Sequence, residues 1–195
     1  MGEASHLKLL PPTRKAYLKA QKQNVTTPKQ AGVLALFYPN IFNETCFVLM
    51  LRKTYKGVHS AQVSFPGGKL EVNDTNLAET ALRETFEEIG VPKTQIHIIK
   101  DMSQVYVPPS NFIVQPFLGL VVNTPVFVKA QNEVETLIEV RLMDLLADCN
   151  MVQKYVATSY TSSIEVPAFE FHGHTVWGAT AMMLSEIKDM FKLLV

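Results

Sequence analysis

The pattern of apolar and polar segments along the chain predicts strands interspersed with helices. Apolar runs rich in β-forming residues at 31–38 and 45–51 flank a stretch with Pro39 and two asparagines, which is typical of two strands joined by a turn. Similar patterns predict strands at 96–100, 116–122 and 166–171, and helices at 142–148 and 179–194. Because these elements follow no regular strand–helix–strand period, we expect an α+β fold, an α/β/α sandwich with a mixed β-sheet between helices.

The clearest helical pattern surrounds Glu84. At 100° per residue, apolar positions gather on one side of the predicted helix and three glutamates on the other. Gly90 supplies a C-terminal stop, and Pro92 prevents the helix from resuming. The apolar side comprises Ala78, Leu82, Thr85, Phe86 and Ile89, and the acidic side comprises Glu84, Glu87 and Glu88.

The acidic side of this helix carries uncompensated negative charge. Each like-charged neighbour costs about 0.2–0.5 kcal/mol, so a solvated helix face is the plain structural interpretation. Two features favour another interpretation: no Lys or Arg stands one turn after Glu87 or Glu88, and Arg83 anchors one edge without neutralising the cluster. A bound divalent cation would relieve the repulsion, and an all-oxygen carboxylate set suits Mg²⁺ or Mn²⁺ better than zinc.

A glycine pair precedes this helix. Pro66, Gly67 and Gly68 predict a loop, because proline and paired glycines rarely continue a regular element. Such a loop lets the backbone approach a ligand closely, with carbonyls facing a metal and amides facing a phosphate. Together with the acidic helix, it predicts a metal–phosphate site.

Composition narrows the class of protein. Of 195 residues, 47% are hydrophobic, and 18 Lys and Arg balance 18 Asp and Glu, which excludes a disordered chain and gives no global charge for nucleic-acid or membrane binding. Two cysteines, Cys46 and Cys149, make neither a disulfide framework nor a zinc site. With no apolar signal segment or spanning run, we expect a cytoplasmic protein. Residues 1–30 are interpreted as an N-terminal extension with a short helix near 13–23, followed by one domain at 31–195.

The order of these residues resembles the Nudix box. Gly68, then Asp74, then the segment 83–91 (Arg-Glu-Thr-Phe-Glu-Glu-Ile-Gly-Val) follows that signature. Asp74 stands in place of the usual first Glu and one residue further from the arginine, and Thr85 fills an apolar slot. The resemblance implies a Nudix fold that hydrolyses a nucleoside diphosphate joined to another group, using Mg²⁺ or Mn²⁺. The metal ligands would be Glu84, Glu87 and Glu88 with a carbonyl of Gly67 or Gly68.

Outside the box, the chain is similar to coenzyme A pyrophosphatases. Two departures from that subgroup are Gly57 and Ala61, where an Arg and a Gly are expected. The resemblance implies cleavage of coenzyme A to 3′,5′-ADP and 4′-phosphopantetheine. The matching segments are Leu51-Arg52, 62–68 (Gln-Val-Ser-Phe-Pro-Gly-Gly), Glu133-Val134 and 177–181 (Trp-Gly-Ala-Thr-Ala).

Roles for individual residues follow from this resemblance. We expect Arg83 to orient the glutamates, and Arg52 and Lys69 to contact phosphate beside the glycine pair. The general base would be a glutamate of the helix, with Glu133 as the alternative. The partner would be a small nucleotide substrate, and a homodimer is left open. Two other functions compete: a Nudix enzyme acting on ADP-ribose, a dinucleotide or a nucleotide triphosphate, and a non-catalytic nucleotide-binding domain.

Overall fold

Eleven strands and four α-helices lie in the part of the chain that the computed structural model describes, residues 2–11, 27–53, 62–157 and 163–194. The strands are β1 (Lys29–Pro39), β2 (Thr45–Arg52), β3 (Val63–Ser64), β4 (Gly67–Lys69), β5 (His97–Asp101), β6 (Val105–Val107), β7 (Phe112–Leu120), β8 (Val134–Arg141), β9 (Met151–Val156), β10 (Ile164–Phe171) and β11 (His174–Val176). The helices are α1 (Gly2–Lys8), α2 (Leu77–Ile89), α3 (Leu142–Leu146) and α4 (Gly178–Lys192). No helix in these ranges is long and apolar enough to cross a bilayer.

An eight-stranded mixed sheet forms the centre of the molecule. Its main path runs β3-β2-β1-β7-β5, while β4 pairs with β1, β6 with β7 and β8 with β2. The β1 and β7 strands run parallel, and the other pairs in this sheet are antiparallel. A second, antiparallel sheet has the order β11-β10-β9. The expected mixed sheet between helices is confirmed.

The two faces of the central sheet are covered by different helices. Because side chains alternate along a strand, Leu34 and Leu36 of β1 point to one face and Ala35 and Phe37 to the other. The first pair packs in a buried cluster with α2, and the second pair packs in a cluster with α4 and the second sheet. The molecule is therefore layered as helix, sheet and helix.

The N-terminal helix packs on the last helix. Ser185 Oγ donates to the carbonyl of Ser5 at 2.9 Å, and the buried His6 Nε2 lies 2.9 Å from Glu186 Oε2. Lys8 Nζ forms an ion pair with Asp189 at 2.7 Å. Residues 2–8 thus belong to the body of the fold, whereas the helix predicted near 13–23 lies outside the described residues.

Most predicted elements are confirmed within a few residues, with one clear error. The glycine pair is not a loop: Gly67 and Gly68 form β4, in which Gly68 pairs with Gly32 of β1. Strand β8 was not predicted, although its buried positions, Val134, Ile138 and Val140, follow the two-residue alternation of a strand. A Cβ at Gly67 would clash with the backbone of β1, and a Cβ at Gly68 would clash with the side chain of Glu84, so both positions of this strand require glycine.

Candidate active site

Both ends of α2 are fixed by caps. Asn76 Oδ1 accepts from the Glu79 amide at 3.0 Å, and Gly90 adopts φ 78° with its amide donating to the carbonyl of Phe86. Asn76 is therefore the N-cap, and Gly90 ends the helix as predicted. Between these caps the helix packs against β1 and β4, which brings its glutamates to the glycine pair.

Glu88 is the buried centre of the site, with 1% of its surface exposed. Its Oε2 accepts from the Gly67 amide at 2.8 Å, while its Oε1 lies 3.3 Å from Arg52 Nη1 and has no hydrogen-bond partner. Burial raises the pKa of Glu88 to about 8, and the charges of Glu84 and Glu133 act in the same direction. Arg52 and the Gly67 amide oppose this shift by favouring the ionised form.

The predicted orientation of α2 is wrong at two positions. Phe86, assigned to the apolar side, is 55% exposed, whereas Glu88, assigned to the opposite side, is buried. The physical reason is the pairing of Glu88 with an amide and a guanidinium, which offsets part of the cost of burying a carboxylate. The glutamates do not share one solvated face.

Glu84 lies directly against the second glycine. A Cβ atom on Gly68 would lie 2.3 Å from the carboxyl group of Glu84, so only glycine leaves room for this side chain. The Glu84 side chain is 16% exposed. Burial raises the pKa of Glu84, while the neighbouring Arg83 lowers it. Two partly or fully buried carboxylates therefore stand beside the backbone of β4.

Arg83 connects the acidic groups of the site. Its Nη1 donates to Glu84 at 3.0 Å and to Glu87 at 2.9 Å, and its Nε and Nη2 donate to the two oxygens of Asp74 at 2.9 and 3.0 Å. Nη2 also donates to the carbonyl of Lys69 at 3.3 Å. This geometry fits the predicted orienting role of Arg83.

Asp74 holds the guanidinium group of Arg83 in place. Besides the guanidinium, it accepts from the Glu71 amide and from Thr80 Oγ1, both at 2.9 Å. These bonds, led by that with Arg83, hold the pKa of Asp74 well below its usual range. Asp74 therefore contacts Arg83 although one more residue separates the two than in the Nudix signature.

The remaining predicted residues surround this centre. Arg52 sits against Glu88 with its side chain 27% exposed, and the Lys69 side chain is exposed at the end of β4. Glu133 is exposed just before β8, near enough for its charge to raise the pKa of both Glu84 and Glu88. Glu87 is 53% exposed and held by Arg83.

A divalent cation fits the chemistry of these donors. Within the described ranges, no three His, Cys, Asp or Glu side chains converge as a metal-holding group, and Glu84 and Glu87 both accept hydrogen bonds from Arg83. However, Oε1 of Glu88 is a buried carboxylate oxygen without a hydrogen-bond partner, next to the partly buried Glu84. Hard carboxylate and carbonyl oxygens are the ligands that Mg²⁺ and Mn²⁺ prefer.

Sequence reasoning missed two features of the site. It did not assign Arg52 to Glu88, and it gave no role to Ser64, whose buried Oγ also lacks a hydrogen-bond partner. The available signals were the strand pattern at 45–51 and the position of Ser64 just before the Pro-Gly-Gly segment. Neither signal reveals that β2 pairs with β3, because that pairing is a tertiary contact.

Several curated proteins are similar over most of the chain. A protein described as the uncharacterized Nudix hydrolase NudL of Yersinia enterocolitica is 29% identical over 152 residues, 77% of this chain and 76% of that protein. NudL of Yersinia pestis is 34% identical, covering 77% and 74%. The peroxisomal coenzyme A diphosphatase ndx-8 of Caenorhabditis elegans is 27% identical, covering 80% of this chain and 65% of that protein.

Solved structures share the fold. The Nudix hydrolase RenU of M. smegmatis aligns with a TM-score of 0.59 at 13% identity, over 88% of this chain and 90% of that one. A MutT/nudix family protein of Enterococcus faecalis aligns with a TM-score of 0.58 at 14% identity, over 94% and 70%. The sequence profile described as the NUDIX domain matches residues 28–159. Since this match spans more than half of the sequence, the chain belongs to the Nudix family.

Proposed function

We propose that this chain is a Mg²⁺- or Mn²⁺-dependent pyrophosphohydrolase that cleaves coenzyme A to 3′,5′-ADP and 4′-phosphopantetheine. The observation that carries the catalytic part is the buried Oε1 of Glu88, which has no hydrogen-bond partner and lies near Glu84 and the glycine pair. Burying the Glu88 carboxylate next to the partly buried Glu84 costs free energy, which a bound divalent cation would reduce. This arrangement supports a site for a divalent ion and the diphosphate it neutralises.

The chain's own residues would bind and orient the reacting groups. Phosphoanhydride hydrolysis depends mainly on positioning and on neutralising charge at the phosphoryl group. Glu84 and Glu88, with Glu87 and a carbonyl of Gly67 or Gly68, would hold the metal, which when bound supplies positive charge and acidifies water. Arg83 would keep Glu84 and Glu87 in place.

A carboxylate of the helix would take the proton of the attacking water. Glu84 and Glu87 are the first candidates, and Glu133 is the alternative, because its charge already acts on Glu84 and Glu88. Replacing the base by Gln should lower kcat while Mn²⁺ binding is kept. Replacing a metal ligand should weaken Mn²⁺ binding, which electron paramagnetic resonance measures.

The coenzyme A assignment rests on the segment 62–68 and on similarity to the nematode diphosphatase. A Nudix hydrolase of other specificity is the alternative, because Gly57 and Ala61 stand where the coenzyme A subgroup has an Arg and a Gly. Both positions lie outside the described residues. A non-catalytic nucleotide-binding domain is less favoured, because it would not need the buried Glu88 next to the partly buried Glu84.

A substrate panel separates these functions. The purified protein is incubated with coenzyme A, ADP-ribose and a diadenosine polyphosphate in the presence of Mg²⁺, and the products are separated by chromatography. We expect 3′,5′-ADP and 4′-phosphopantetheine from coenzyme A. Preference for another substrate would replace the coenzyme A assignment, and turnover of none would favour the binding domain.

Glu88→Gln tests the metal site within the same assay. It should keep the fold, lose most of the turnover and bind Mn²⁺ more weakly. Glu79→Gln is the matched control on the same helix, because Glu79 is 41% exposed and pairs only with Lys93 among the ion pairs found in the described ranges. Near-normal turnover by Glu88→Gln would remove Glu88 from the site.

A further inference from the structure

Two buried side-chain oxygens lack a hydrogen-bond partner in the described part of the chain, Ser64 Oγ and Glu88 Oε1. Buried polar groups in folded proteins almost always have partners, so each exception needs a physical explanation. The Glu88 oxygen belongs to the candidate active site. The Ser64 oxygen has no role in the function proposed above.

The strand register places Ser64 beside the same site. Ser64 of β3 lies opposite Met50 of β2, so their side chains share a face of the sheet. Arg52 is two residues further along β2 and therefore points to that face as well. Its guanidinium lies 3.3 Å from the unpartnered oxygen of Glu88.

The backbone next to Ser64 is tied to this site at two points. The Arg52 amide donates to the carbonyl of Gln62 at 3.1 Å, which fixes the register of β3. Three residues after Ser64, the Gly67 amide donates to Glu88. Met50 is fully buried in the cluster that contains Ile89 of α2, so this face is the one that α2 covers. Both oxygens without a hydrogen-bond partner thus lie on the side of the sheet that α2 covers, the side to which Arg52 points.

Other buried hydroxyls of this fold are satisfied. Thr85 Oγ1 donates to the carbonyl of Ala81 at 2.7 Å, and Ser185 Oγ donates to Ser5 at 2.9 Å. Thr180 Oγ1 donates to the carbonyl of Val63 at 3.0 Å, immediately before Ser64. A buried hydroxyl with a purely structural role would be expected to donate a hydrogen bond to such a carbonyl, and the hydroxyl of Ser64 does not.

We propose that Ser64 is a substrate-binding residue whose hydroxyl donates a hydrogen bond to a phosphate oxygen of the bound diphosphate. This inference rests on the pyrophosphohydrolase function proposed above. A phosphate oxygen near Arg52 would receive charge from the guanidinium and a hydrogen bond from the hydroxyl. Because the hydroxyl has no hydrogen-bond partner in the described part of the protein, it is available to donate to the substrate.

The test compares Ser64→Ala with Ser185→Ala, which removes a buried hydroxyl that has a hydrogen-bond partner, on the opposite side of the sheet. For each variant we would measure Tm, the KM for the substrate that the wild type hydrolyses, and the Kd for α,β-methylene-ADP with Mn²⁺. For Ser64→Ala we expect KM and Kd to rise about ten- to hundredfold, as for a lost hydrogen bond to a charged group, and Tm to be unchanged or higher. For Ser185→Ala we expect a lower Tm with unchanged KM and Kd.

Each contrary result has a distinct meaning. Unchanged KM and Kd in Ser64→Ala, with an active wild type, would overturn the role of Ser64 and leave the proposed function standing. Loss of Mn²⁺ binding by Ser64→Ala without nucleotide would make the hydroxyl a metal ligand and also overturn the proposal. A wild type that neither hydrolyses nor binds a diphosphate would overturn both.

Discussion

Replacing Gly68 by Ala should inactivate the protein while leaving it folded. The new Cβ would lie 2.3 Å from two atoms of the Glu84 carboxyl group, whereas ordinary contact begins near 3.4 Å, so the carboxyl must move by about 1 Å. A displacement of that size in a positioned group costs roughly 10²-fold in rate, or about 2.7 kcal/mol in activation free energy. Because the clash involves the end of a flexible side chain, we expect a loss of about 1 kcal/mol or less in stability.

The assay measures kcat for the substrate identified in the panel, together with thermal unfolding. We expect Tm of Gly68→Ala to stay within about 4 °C of the wild type. Gly67→Ala is the contrast: Gly67 has φ 148°, and its Cβ would lie 2.4 Å from the carbonyl oxygen of Gly32, which is backbone and cannot yield. That variant should lose about 4 kcal/mol or more of stability.

A double-mutant cycle identifies the route of the effect. If Gly68 acts through Glu84, then adding Gly68→Ala to Glu84→Gln should lower kcat little beyond the single Glu84→Gln change. Full additivity of the two effects, or wild-type kcat in a folded Gly68→Ala, would refute the reasoning that Gly68 is needed to accommodate Glu84.

Three further predictions concern the ion pairs. Arg83→Lys should lower kcat by about tenfold or more, because one ammonium cannot replace the planar fork that reaches Asp74 and Glu84 together; unchanged kcat would argue against an orienting role. Asp74→Asn should lower the free energy of unfolding by about 2–3 kcal/mol at about pH 7. The pKa of Asp74 is lower in the folded state than in the unfolded state, where it is near 4. The ionised Asp74 therefore stabilises the wild type above that unfolded pKa, and this stabilisation is lost as pH falls through the folded pKa. The difference in Tm between the variant and the wild type should thus narrow below about pH 3. A gap that is constant with pH would contradict this. Glu186→Ala breaks contacts with His6 and Ser103, and should lower Tm by about 5–10 °C without changing KM, as α4 covers the sheet face opposite α2; a raised KM would show that this end of the molecule reaches the site.

Sequence periodicity correctly placed Thr85 and Ile89 on the buried side of α2, but it assigned Phe86 and Glu88 to the wrong sides. The C-terminal end of α2 was predicted from Gly90, whereas the N-cap Asn76 was not predicted. The burial of Glu88 and the exposure of Phe86 depend on partners from elsewhere in the chain, namely the Gly67 amide and the Arg52 guanidinium. Hydrophobicity alone therefore assigned these two residues to the wrong environments.

Contacts between distant segments account for the other differences. The glycine pair looked like a loop because nothing in its own sequence reveals that β1 runs alongside it. The position of Ser64 near the candidate active site follows only from the pairing of β3 with β2. In contrast, the spacing of Arg83, Glu84 and Glu87 within one helix is local, so the sequence alone indicated that these residues would lie close together, and Arg83 contacts both glutamates.

The position of α4 also bears on how the molecule is made. This helix, Gly178–Lys192, covers one face of the central sheet together with the second sheet, and α1 packs on it. During translation, β1, β2 and β7 emerge long before α4, so Phe37 lacks its contact with Phe191 until the ribosome has delivered that helix. A nascent chain is thus exposed to aggregation for most of its synthesis, and a stop codon before residue 178 should yield a product that chaperones hold and proteases degrade.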